Sequence, residues 1–244
     1  MILLALLLQS AGPAETIDAR LERCVDLATG DGVAGQAMAT SWALSGGGYL
    51  SRQCLGIAYA TQGKYAAAAG SFEDAARGAA TAKDARVANY WAQAGNAWLA
   101  AGDAAKARAS IDAALAAGGL SGLALGEAHL DRARALVAAG EMQGARGDID
   151  RALQAAATDP LAWLLSATLA RRSGDLKRAQ ADIAQALERA ADDASVQLEA
   201  GNIAALTGDE AGARGGWTRA VQLGGATPVA AAAKTALAQF DAGK

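Results

Sequence analysis

Apolar positions along this chain recur at spacings of three and four, the interval that puts side chains on one face of a helix. The pattern is punctuated. Five helical stretches end on a glycine (Gly63, Gly102, Gly140, Gly174 and Gly208), at separations of 39, 38, 34 and 34 residues. Five positions after each glycine stands an alanine: Ala68, Ala107, Ala145, Ala179, Ala213. Four further on comes a large apolar residue (Phe72, Ile111, Ile149, Ile183, Trp217), and three beyond it a second alanine (Ala75, Ala114, Ala152, Ala186, Ala220). The alanines let a neighbouring helix approach, and the large residue between them fills the gap. Seven positions before each glycine lies Gly56, Gly95, Ala133, Ala167 or Gly201, small enough for the other helix of the pair to lie close.

The glycines themselves mark hinges. A helix commonly ends on a residue in the left-handed conformation, which glycine adopts without a Cβ clash. In three repeats the next residue is aspartate (Asp103, Asp175, Asp209), able to accept from the free N–H groups that open a second helix. Gly-Asp therefore predicts a short hinge between antiparallel helices. Asp159-Pro160 and Thr227-Pro228 each pair a capping side chain with a proline suited to the first helical position. Pro228 opens an alanine-rich helix from Val229 to Phe240 with no partner after it, as expected of a terminal cap over residues 226–244. Residues 15–48 hold an atypical pair, Ile17 to Leu27 and Val33 to Leu44. Its anchor would be Gly30, and Gly35 takes the place of the alanine. Gly46-Gly47-Gly48 then reads as a flexible joint between repeats.

These residues resemble the tetratricopeptide repeat (TPR) family, whose period is about 34 residues. The resemblance covers residues 49–225 as five repeats, and its clearest copy is Leu55-Gly56, Tyr59, Gly63, Ala68, Phe72 and Ala75. Trp91 and Trp163 take the family's tryptophan position, and Trp98 an aromatic position later in its helix. Departures fall toward the C-terminus. Arg132 and Ser166 stand where the family prefers leucine, and Ala170 and Ala204 where it prefers tyrosine, which suggests looser packing there. The resemblance implies an all-α solenoid wound as a right-handed superhelix: about five repeats, a degenerate N-terminal repeat and a C-terminal capping helix. It further implies a protein-interaction scaffold rather than an enzyme, binding a partner peptide or helix in a concave groove lined by first helices. Carried over copy by copy, the ligand-facing positions are Asn89, Asn96, Glu127, Arg134, Thr168, Arg171 and Asn202. Asn96 matches one position of the clamp by which some members hold acidic C-termini, but the lysines of that clamp are missing.

Composition agrees with small-residue helix packing: 52% of residues are hydrophobic but only 5% aromatic, which suits closely approaching helices better than sheets. A net charge of −3 gives no basic footprint for nucleic acid. Arg171, Arg172, Lys177 and Arg178 read as a solvated helix face, and the acidic pairs Asp148/Asp150 and Asp192/Asp193 as solvated groups on exposed helix faces or at helix ends. Catalytic or cofactor chemistry finds few candidates. The single histidine, His129, falls at the tryptophan position of its repeat and is expected to be packed between helices. No metal or phosphate-loop spacing occurs, and Glu127 is the one obvious carboxylate for an enzymatic alternative. A self-associating architectural subunit is the other alternative.

Ile2 to Leu8 form an apolar run followed by small residues, resembling a signal peptide over residues 1–14. A hydrophobic first helix is the other reading, and the run is too short to span a bilayer. Cys24 and Cys54 lie on the first helices of neighbouring repeats. They would form a disulfide in an exported (periplasmic or extracellular) protein, or stay buried thiols in a cytoplasmic one.

Overall fold

The computed structural model describes residues 16–242; the signal-like segment lies outside the described residues. Thirteen helices and no strand occur among the described residues. They are α1 (Ile17–Gly30), α2 (Gly32–Leu44), α3 (Gly48–Thr61), α4 (Tyr65–Ala82), α5 (Val87–Ala100), α6 (Ala104–Ala117) and α7 (Gly122–Ala138). The remainder are α8 (Met142–Ala155), α9 (Pro160–Arg172), α10 (Leu176–Arg189), α11 (Ala194–Leu206), α12 (Glu210–Gly224) and α13 (Pro228–Ala242). Each helix packs on the next, and α5, α7, α9, α11 and α13 also touch one another in series. This is a solenoid: stacked pairs whose first helices form one wall.

The hinges follow the glycine logic. Gly63, Gly102, Gly140, Gly174 and Gly208 all have positive φ, between 71° and 80°. Asp103, Asp175 and Asp209 each accept from the backbone N–H three residues on, capping α6, α10 and α12. The longer periods of the first two repeats also acquire a cause. α4 runs to 18 residues and ends on Lys83 in the left-handed region, while Gly118 and Gly119 lengthen the connection into a 17-residue α7.

Small residues sit where helices approach most closely. A Cβ on Gly95 would lie 2.3 Å from Ile111 Cγ1, and one on Gly201 2.6 Å from the Trp217 ring. The two alanines of the motif are buried without exposure in every repeat. α13 closes the C-terminal end with Phe240 packed edge-on against Trp217, ring centroids 5.4 Å apart.

Three expectations at the N-terminus and in the core change. Gly30 is not a left-handed hinge: α1 continues through it, and extended Asp31 alone joins α1 to α2, its side chain accepting from Val33 and Ala34 N–H. Gly35 breaks the alanine pattern because α2 approaches so closely that an added Cβ would lie 2.3 Å from Ala28 Cα. Gly46–Gly48 form a tight turn rather than a flexible joint; Gly46 and Gly48 have positive φ, and Gly47 packs on Trp42.

Asp148 is the third correction. It is 1% exposed, not a solvated acid. Its Oδ1 and Oδ2 each accept from Arg132 at 2.7 Å, and Arg151 and His129 Nδ1 lie within 3.1 and 3.2 Å of Oδ1. The reason is positional. Arg132 stands eight residues before its hinge glycine and Asp148 eight after, and the same two positions meet again around Gly174, where Ser166 bonds Asp182. Elsewhere they hold Leu55 with Ser71, Ala94 with Ser110, and Ala200 with Gly216. Ser166 donates to Asp182, and Arg178 and Arg146 join them to Asp150. Polar residues at the family's leucine position thus arrive with polar partners. Packing within the C-terminal pairs remains close, and the looser contacts are those from α8 to α9 and from α10 to α11.

Candidate functional site

A groove of about 750 Å³ runs along the first-helix wall, lined mainly by α3, α5 and α7, with Leu161 of α9 at one end and Thr29 of α1 at the other. Helical spacing explains which side chains enter it. On each first helix, positions 13, 9 and 6 before the hinge glycine lie at intervals of four and three and share one face. On α5 these are Asn89, Gln93 and Asn96; on α7 they are Glu127, Asp131 and Arg134. All six line the groove.

Four residues of the expected set therefore meet here: Asn89, Asn96, Glu127 and Arg134, all exposed. Thr168, Arg171 and Asn202 do not. They belong to α9 and α11, beyond the end of the groove. There Arg171 Nε donates to Glu199 Oε1 at 2.6 Å, Asn202 Nδ2 donates to Glu199 Oε2 at 3.2 Å, and Trp217 Nε1 donates to Asn202 Oδ1 at 2.9 Å. Glu199 is 6% exposed, so this stretch of wall is already occupied by its own hydrogen bonds.

Residues that the sequence reading passed over matter as much. Gln93, Asp131 and Glu199 occupy the central position of the stripe. Extending the spacing of four and three from the two outer positions would have found them. Asp131 bridges the first helices, accepting from Asn96 Nδ2 and from Arg134 Nη1, both at 3.1 Å. Arg86 at the start of α5 is held by Asp84, which accepts from Arg86 Nη2 at 2.5 Å and from the Tyr49 hydroxyl at 2.6 Å. Those hydrogen bonds, from Arg86 first and then Tyr49, hold the Asp84 carboxyl well below the usual range.

Three buried polar atoms in the groove have no partner: Gln53 Oε1, Tyr90 OH and Gln93 Oε1. Tyr90 is 1% exposed, and burial pushes its hydroxyl up to about 12. No sequence signal announced it, because a tyrosine packed against alanines and Tyr49 looks like core. Unpartnered buried polar groups are costly and uncommon in folded proteins. All three atoms are sealed from solvent, so the hydrogen-bonding capacity open to a ligand is that of the exposed side chains Asn89, Asn96, Glu127 and Arg134.

The carboxylate cluster around Asp148 has another character. Burial opposes its charge, but hydrogen bonds and charge from Arg132, then His129, hold Asp148 below its usual value. Burial also pushes His129 down, against the pull of Asp148. Asp148 is thus a firmly ionised structural anion. Among the described residues no group of His, Cys, Asp and Glu is arranged to hold a metal ion, and no helix is long and apolar enough to cross a membrane. Cys24 on α1 and Cys54 on α3 are bonded, with Cα atoms 6.0 Å apart; Cys54 itself sits at the central stripe position of α3.

No protein-family model matches the sequence, and no curated protein does. Solved structures do match the fold. PilW, a widely conserved type IV pilus biogenesis factor, superposes with a TM-score of 0.73 at 17% identity, over 92% of this chain and 99% of its own. PilF of Pseudomonas aeruginosa gives 0.70 at 13% identity, over 94% of this chain and all of its own (100%). YrrB, a TPR protein with an unusual peptide-binding site, gives 0.56 at 17% identity, over 80% and 96%. At such identities the likeness speaks for the fold. The chain has the tetratricopeptide-repeat fold.

Proposed function

We propose that this protein is a non-enzymatic scaffold that holds a segment of a partner protein in the groove along α3, α5 and α7. One observation carries the reading: the wall there forms a groove of about 750 Å³ lined by exposed polar side chains, with Glu127 unpaired, whereas on α9 and α11 Arg171 and Asn202 are both bonded to Glu199. A segment lying in the groove bonds to these exposed side chains, and burial of its own side chains adds to binding. The YrrB peptide-binding site supports the reading by analogy of fold.

We place the protein in an oxidising compartment, because Cys24 and Cys54 are positioned to bond and such bonds persist outside reducing cytosol. Intact mass of the protein from its native cell checks this; a free-thiol mass in unreduced material contradicts it. The binding role is tested by selecting displayed random peptides on the full chain. Ala92→Trp, which fills the groove, should abolish recovery of the selected binders, and Ala109→Trp on exposed α6 should not. Equal recovery on both variants rejects the groove.

A further inference from the structure

We infer that the groove selects a basic, extended peptide segment, one carrying arginine or lysine, with Glu127 as the residue that reads its charge. This rests on the binding role proposed above and adds the ligand's chemistry. The exposed Glu127 carboxylate is an acceptor with no hydrogen bond or ion pair of its own. A ligand that satisfies it must bring donors. An extended backbone offers N–H groups along its length, and arginine offers the most donors of any side chain.

The cations of the groove lead to the same conclusion. Arg86 is neutralised by Asp84, and Arg134 by Asp131. An acidic segment would meet no uncommitted positive charge among the described lining residues and would face Glu127. A basic segment meets Glu127 free. The polarity is the reverse of a lysine clamp for acidic C-termini, and it comes from side chains on two adjacent first helices.

The test uses fluorescein-labelled peptides of twelve residues on one Gly/Ala/Ser background, carrying arginine, aspartate or glutamine at alternate positions, with binding to the full chain read by fluorescence anisotropy. The arginine peptide should bind about tenfold more tightly than the aspartate peptide. Glu127→Gln should weaken the arginine peptide about fivefold, while Asp192→Asn, an exposed acid far along the chain, should leave it unchanged. Absence of binding by the arginine peptide, an equal or tighter aspartate peptide, or indifference to Glu127→Gln overturns the inference. If Ala92→Trp still abolishes binding of the aspartate or glutamine peptide, the groove role survives and only the charge preference falls. If Ala92→Trp affects no peptide, both fall.

Discussion

The two halves of the first-helix wall use one stripe of positions for opposite ends. Along α5 and α7 the stripe is Asn89, Gln93, Asn96 and Glu127, Asp131, Arg134; Asn96 and Arg134 share Asp131, and the exposed Glu127 has no partner. Along α11 it includes Glu199 and Asn202, and Glu199 is consumed by Arg171 and Asn202 while Asn202 also accepts from Trp217. The core beneath shows a contrast of its own. The corresponding positions hold Leu55 with Ser71, Ala94 with Ser110 and, at the C-terminal end, Ala200 with Gly216; only the two middle pairs, Arg132 with Asp148 and Ser166 with Asp182, are charged or bonded. In a linear array each repeat contacts only its neighbours, so such differences can persist side by side. α7 does both: Arg132 on its inner face bonds Asp148, and Glu127 on its groove face is left for a ligand.

The largest expected effect breaks the core between α7 and α8. Arg132→Leu leaves Asp148 buried and short of its main partner, and should cost about 3–5 kcal/mol in denaturant unfolding. Arg132→Leu with Asp148→Ser transplants the Leu55/Ser71 pair and should recover most of that loss. If the double variant is no better than the single, the facing-position account fails.

Next comes the disulfide, which ties α1 to α3 at the N-terminal end. Closing a loop of 30 residues contributes roughly 3–4 kcal/mol in the chain-entropy model. Reduction, or Cys24→Ala with Cys54→Ala, should lower stability toward that extent. Hydrogen exchange should place the loss in α1 and α2, leaving α9–α13 protected.

Smaller still is the effect at the closest helix approaches. Gly95→Ala drives a Cβ into Ile111 and should cost about 1–3 kcal/mol, with partial recovery on adding Ile111→Val. Unchanged stability in thermal unfolding would show that the pair can separate without penalty.

The mildest prediction concerns pH. Burial lowers the pKa of His129, so the unfolded chain takes up that proton first as pH falls. The contribution of neutral His129 is full above its unfolded value of about 6.5 and is lost as pH drops through its folded value. Asp148 is also depressed, so its contribution holds above about 3.9 and fades only at lower pH. Unfolding curves between pH 7 and 5 should therefore flatten in His129→Gln.

Much of the fold was legible in the sequence because its determinants are local. Glycine at positive φ, aspartate capping the next helix and alanine at i, i+7 are each dictated within one hairpin, and they recur. The first repeat departs because α1 and α2 meet too closely for the alanine rule, which Gly35 records only once the helices are placed. Asp148 was misplaced as a solvated acid because its burial depends on Arg132, 16 positions away on the facing helix. In the groove, the positions at both ends of the stripe were legible by transfer from the family pattern. Which of them stay unfilled was not: Arg171 and Asn202 are claimed by Glu199, and Tyr90 is orphaned, through contacts between elements that a single helix pattern does not contain.

The most direct measurement places a photo-crosslinking side chain at Ala92, at Thr168 or at Ala109 and irradiates each with the arginine peptide. Crosslinks from Ala92 alone are the predicted result; crosslinks of equal yield from Thr168 or Ala109 would contradict a binding wall confined to α3, α5 and α7.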